Sequence, residues 1–248
     1  MTASRARVAV IVAAGLLTAA PAAAYLLPAT AILRKAAETR TGLELTTVEA
    51  TGALELRGAA LPRGVPSTTT ARLLLKTPGR ARLELLLADV AEGDRPTSSV
   101  KEERLAGRGG LEQQPGVAAL VRGLATLLAW SPANEGQALG EGLVRRGVKL
   151  DEVSLGRFNG RLAWVLGGRL VDPKGPPLAL IDKDSWMPLR LLVVERGVTY
   201  DLRLLDWASA VGADRIPRSI EVWQGAELLV RFNTEKTTAN PRLADALF

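Results

Sequence analysis

Apolar residues recur along this chain with two alternating periods. In residues 30–40 Ile32, Leu33, Ala36 and Ala37 share one helical face, and Arg34, Lys35, Glu38 and Arg40 the other. That spacing predicts a short amphipathic helix, stopped by Gly42. The period then shortens to two. Residues 43–49 and 53–57 read as strands joined through Ala50-Thr51-Gly52, followed by a Pro/Gly-rich loop at 61–66. Residues 69–76 and 80–87 alternate as well, with Leu73 and Leu75 on one face and Leu83, Leu85 and Leu87 on another. Thr77-Pro78-Gly79 between them is a turn signal, because Pro presets φ and Gly accepts positive φ. Residues 97–105 predict a polar edge strand, and 107–110 a flexible link.

The helical period returns at residues 117–130. Leu120, Leu124, Leu127 and Leu128 form a stripe that Val117, Val121 and Trp130 widen, and Arg122 is the only charge. Pro115 suits the start of this helix, and Ser131-Pro132 its end. Residues 137–146 predict a second short helix. From 149 to 232 strand follows strand. Residues 149–157 and 161–170 flank an Asn159-Gly160 hairpin turn, then come 178–182, 189–195, 198–207, 218–223 and 227–232. Strands at this spacing predict an antiparallel all-β barrel or sandwich. Gly167-Gly168 inside one of these runs reads as a bulge.

Two absences narrow the chemistry. The 248 residues contain no His and no Cys. A Ser-His-Asp triad, a cysteine nucleophile, a disulfide, a lipobox cysteine and a His/Cys zinc site are thereby excluded. Asp182, Asp184, Asp201 and Asp206 are the carboxylates available for acid–base work, but Asp182 and Asp184 flank a turn, where Asp serves local hydrogen bonding. The expectation is a protein that is not an enzyme and uses no cofactor or metal. The net charge of +6 is dispersed, and Arg supplies 25 of the 32 cations. No basic stripe with interleaved aromatics is present, so no nucleic acid is expected as a partner. Arg145-Arg146 reads as a solvated pair or an attractor of anionic head groups.

At the N-terminus Arg5 and Arg7 precede an apolar run that ends in Ala22-Ala23-Ala24. This is the layout of a signal peptide, residues 1–24, with 25–248 as a single mature domain in the periplasm. Residues 8–33 carry no charge, so an uncleaved inner-membrane signal anchor is the alternative.

The order of elements, together with residues 73–84 (LLLKTPGRARLE), 180–190 (LIDKDSWMPLR), Asp206-Trp207, Arg215-Ile216-Pro217 and the closing 240–248 (NPRLADALF), resembles the LolA/LolB family of outer-membrane lipoprotein carriers, and most of all its diverged periplasmic members. The resemblance implies a mainly β fold: an unclosed, curved antiparallel β-barrel of about 11 strands with short α-helices as a lid over an apolar concave face. It implies a monomeric, non-catalytic carrier. Its partners would be the acyl chains of lipoproteins or another lipid, and membrane proteins of the inner and outer membranes. An envelope sensing or protein-interaction module on the same fold is the alternative. Thr77 stands where that family carries a lid-closing Arg. The candidate lid and cavity residues are Ile32, Leu33, Leu120, Leu124, Leu127, Leu128, Trp130, Trp164, Trp186, Trp207 and Trp223, each of which could equally be plain core or sheet-edge packing.

Overall fold

The structure, a computed structural model, describes residues 26–42, 44–61, 65–86, 99–101, 105–106, 114–128, 136–170, 175, 177–207 and 216–248. The expected signal segment, the link at 107–110 and Trp130 lie outside the described residues. Helix α1 spans Ala29–Thr41. Strands β1 (Thr47–Leu56), β2 (Thr68–Lys76), β3 (Arg80–Leu86), β4 (Ser99–Lys101) and β5 (Leu105–Ala106) follow. Then come helices α2 (Pro115–Leu127) and α3 (Gln137–Arg145). The second meander is β6 (Val153–Phe158), β7 (Arg161–Leu166), β8 (Leu178–Asp182), β9 (Pro188–Glu195), β10 (Val198–Leu205), β11 (Ser219–Gln224) and β12 (Glu227–Ala239).

The 12 strands among the described residues join one antiparallel sheet in the order β5-β4-β3-β2-β1-β12-β11-β10-β9-β8-β7-β6. Two meanders are therefore sewn together by the pairing of β1 with β12. The chain leaves the sheet at the β5 edge, runs through α2 and α3, and re-enters at the opposite edge as β6. The two edges do not pair, so the barrel stays open. This is the mainly β, unclosed architecture expected, with one strand more than the number anticipated.

The strand count differs for physical reasons. Residues 47–56 form one strand, not two, because the Ala50-Thr51-Gly52 break is a bulge within β1. β12 runs on to Ala239, beyond the expected end at 232, because its polar second half pairs with β1. The polar edge segment is two short strands, β4 and β5. Gly167 (φ +100°) and Gly168 (φ +141°) end β7 and do not bulge within it. A Cβ at Gly167 would come within 2.5 Å of the Pro177 carbonyl oxygen, so the close return toward β8 needs a glycine there.

Period-two alternation sorts the sheet into two faces. The concave face is apolar: Val48, Ala50 and Leu54 of β1, Leu73 and Leu75 of β2, Leu83 of β3, Leu191 and Val193 of β9, Leu202 and Leu204 of β10, Ile220 and Val222 of β11, and Phe232 of β12 are all buried in one cluster. The convex face carries paired charge. Arg190 meets Asp201 twice, at 2.6 and 2.8 Å, and Arg203 reaches the same carboxylate at 2.8 Å. Arg231 bridges Glu221 (2.8 Å) and Glu55 (3.3 Å). Glu84 takes Arg82 at 2.8 Å and also Arg72. This cross-strand network engages five of the 25 arginines, Arg72, Arg82, Arg190, Arg203 and Arg231. Near β6 the convex face turns apolar instead, with Ala163, Val165, Leu178, Leu180, Leu189 and Leu192 forming a second small core.

The C-terminal tail is tied back to the first hairpin. Asn240 accepts from the Thr46 amide (2.8 Å) and donates to the Glu44 carbonyl (3.0 Å). Asp245 takes Lys76 (2.8 Å) and Arg80 (2.9 Å). The Lys76 hydrogen bond and charge hold the Asp245 carboxyl below its usual range. The quoted motifs at 73–84 and 240–248 are thus one structural unit.

Candidate functional site

The three helices occupy the concave side. Helix α2 lies across β3, β9, β10, β11 and β12, and α3 packs on both α1 and α2. Pro115 sits in the first turn of α2, where a missing N–H costs nothing. Val117, Leu120, Val121 and Leu124 of α2 are fully buried, and Leu127 and Leu128 nearly so. Gly123 explains how closely the helix lies: a Cβ there would come within 2.5 Å of Leu202 Cδ2 on the floor. The space under α2 is consequently filled. At the C-terminal end of α2 a void of about 10 Å³, room for roughly one water, lies between Leu124 and Leu128 and the end of the first hairpin, with Val48, Leu75, Thr47 and Lys76 in its lining.

Helix α2 is held at one charged point. Its single charge, Arg122, donates to Glu195 at the end of β9, with Nε–Oε1 at 3.2 Å. Arg146, just past α3, reaches Glu195 at 3.8 Å and Thr126 Oγ1 of α2 at 3.3 Å. Glu195 thus joins the sheet, α2 and the end of α3. Tyr200 lies close by on β10, and burial first, then the Glu195 charge, pushes its phenol above the usual range. The sequence reading missed Glu195. Its signal was the lone Arg122 on an otherwise apolar helix, which needs a partner when buried.

Helix α1 reaches the turn between β8 and β9, where Lys35 meets Trp186 and Arg40 meets Met187. Ile32 and Leu33 are buried as candidate lid residues should be, but plain core predicts the same. Trp164 on β7 is buried in the concave cluster and stacks on Trp186, with ring centroids 6.3 Å apart and planes at 20°. Lys35 Nζ of α1 sits 5.5 Å from the Trp186 centroid. Trp207 packs against both clusters, under Arg40 of α1 at 5.3 Å, and donates to the Pro188 carbonyl at 2.9 Å. Trp223 lies on the convex face, where its N–H donates to Glu221 (2.7 Å) and Arg203 covers its ring at 4.6 Å. The other described candidates gather on the concave side or at its rim, and Trp223 does not join them.

An open groove of about 610 Å³ runs between α1 and α3. It is lined by Leu33, Val144 and Leu150, with Thr30, Gln137, Glu141 and Arg145 around them. Its volume falls in the ~300–1,000 Å³ range of small-molecule clefts. Two of the four carboxylates weighed for catalysis, Asp182 and Asp201, have structural work. Asp182 accepts from the Ser185 amide (2.7 Å) and hydroxyl (2.8 Å) and pairs with Arg161 (2.7 Å). Asp201 serves the convex network.

An unclosed antiparallel sheet, an apolar concave face and short helices laid over that face are the parts the resemblance implied. No family model matches the sequence, and no curated protein matches it. Among solved structures the chain is similar to a LolA superfamily protein from Nitrosomonas europaea, at 12% identity and TM-score 0.44 over 90% of this chain and 98% of that one. It is also similar to an outer membrane lipoprotein-sorting protein domain from Vibrio parahaemolyticus, at 13% identity and TM-score 0.46 over 86% and 94%. The MucA/MucB complex of Pseudomonas aeruginosa contains a third similar chain, at 18% identity and TM-score 0.29 over 88% of this chain and 59% of that one.

Proposed function

We propose that this protein is a non-catalytic periplasmic carrier that takes up acyl chains, of lipoproteins or of another lipid, on the concave face and passes them toward the outer membrane. The observation that carries the reading is helix α2. It is an apolar helix seated on an apolar floor, and its one charge is spent on a single ion-pair cluster with Glu195. Such a helix substitutes for ligand: it fills the concavity in the empty protein, and an acyl chain burying similar area replaces its contacts at about 25 cal/mol per Å². The groove between α1 and α3 adds an open cleft of about 610 Å³ beside the helices, with Leu33, Val144 and Leu150 as its apolar lining.

The test is direct. The protein released gently from cells and weighed by native mass spectrometry should carry acyl lipid, and a fluorescent long-chain fatty acid should bind the delipidated form. Recovery of a stable protein partner with no lipid and no dye binding sinks the carrier reading and leaves the protein-interaction module.

The Glu195 cluster sets how readily α2 lifts. Glu195→Gln removes the charge that Arg122 and Arg146 share. A partly exposed pair of this kind contributes up to about 1 kcal/mol, so uptake should speed by as much as about fivefold. Stopped-flow mixing with the fluorescent fatty acid reads the rate; a slower rate, or no change, argues against a latch at Glu195.

A further inference from the structure

Among the described residues the apolar cluster of the concave face holds a buried donor out of keeping with its surroundings. Trp164 is 4% exposed, and its indole Nε1–H has no hydrogen-bond acceptor. Trp207 and Trp223 both satisfy theirs, on Pro188 and Glu221. A buried donor left unmade is costly for a folded protein, and a Phe in the same place would carry no such cost. Trp164 lies between Leu155 of β6 and Ile181 of β8, with no polar side chain at either position.

Its surroundings grade outward in polarity. Trp164 is buried and stacks on Trp186, which is half-buried at the turn before β9. Trp186 in turn is capped by Lys35, an exposed cation on α1. From floor to rim the order is leucine surface, an unsatisfied N–H, an aromatic step, and a positive charge. A diacyl lipid has the same order of groups: hydrocarbon, ester carbonyl, glycerol and an anionic head.

We infer that Trp164 Nε1 is the donor for the ester carbonyl of an acyl chain bound on the concave face, with Lys35 at the rim beside the head group. The inference rests on the carrier reading and adds to it a polar anchor and a ligand class, acyl esters in preference to bare alkyl chains. The same ester carbonyl occurs in a phospholipid and in the diacylglyceryl group of a lipoprotein, so Trp164 serves either. Lys35 separates them, because only the phospholipid carries its negative charge next to the glycerol.

The experiment compares diacyl phosphatidylglycerol with its dialkyl ether analogue, which has the same chains and head but no carbonyl. Wild type should bind the ester roughly three- to tenfold more tightly than the ether, the range expected for one buried hydrogen bond. Trp164→Phe should bind the two equally, and its empty form should melt no lower than wild type, because an unpaired donor has been removed. A structural tryptophan would show neither effect. Lys35→Gln should weaken phosphatidylglycerol binding and leave an uncharged diacylglyceryl peptide unchanged if a phospholipid is the ligand; equal weakening of both would place no head group at Lys35.

Equal affinity of wild type for ester and ether overturns the role of Trp164 while leaving the carrier intact. Binding of neither overturns both. The ester–ether comparison on wild type stands even if Trp164→Phe does not fold.

Discussion

Gly52→Ala should lower the denaturant midpoint more than any other single-methyl addition in the sheet. Gly52 sits at the bulge where β1 shifts register against β12, and a Cβ there would lie 1.9 Å from the Asn233 carbonyl oxygen and 2.8 Å from its carbon. Those are backbone atoms in the strand that sews the two meanders together, so they cannot rotate aside as a side chain would. The expected loss is roughly 3 kcal/mol or more, the upper part of the range for overpacking. Gly225→Ala is the control. Unlike Gly52 it has positive φ, +61°, and nothing within 4 Å of an added Cβ, so it should cost only the left-handed penalty of about 1–2 kcal/mol. Equal losses for the two variants, read by urea denaturation, would mean that the β1–β12 contact is not the tight junction described.

Gly52 also shows where the sequence was legible and where it was not. Its position in an alternating run looked like a break between two strands, because local pattern alone does not distinguish a bulge from a turn. The deciding fact is the closeness of β12, which is 181 residues away at Asn233. The same holds for β12 itself, whose polar half gives no apolar alternation to read but is paired by β1. Runs with a clear period and their own turns were legible: residues 178–182 match β8 end to end, and Asn159-Gly160 makes the β6–β7 hairpin. The helices were legible to within a few residues because their apolar stripes repeat near 3.6.

The site was less legible than the fold. The stripe on α2 named residues that are buried, but burial is common to a lid and to a core. Trp residues were chosen by type, and type carries no face. Trp164 and Trp223 occupy opposite sides of one sheet, and only register separates them. Glu195 and the unsatisfied Trp164 N–H were invisible because each is defined by what stands across from it in space.

The central claim is that α2 leaves its floor when an acyl chain arrives, and a removable tether tests it. A Cβ built on Gly123 lies 3.7 Å from Leu202 Cβ, inside the ~3.5–4.5 Å separation of a disulfide. The chain has no cysteine of its own, so Gly123→Cys/Leu202→Cys can form one bridge and no other. Because both positions are buried, the reduced double variant serves as its own reference for any lost packing. Binding of the fluorescent fatty acid is measured in the oxidised and then the reduced protein. No uptake is expected while the bridge is closed, with recovery when it is reduced. Equal binding by the two forms would contradict it and would place the ligand away from the floor beneath α2.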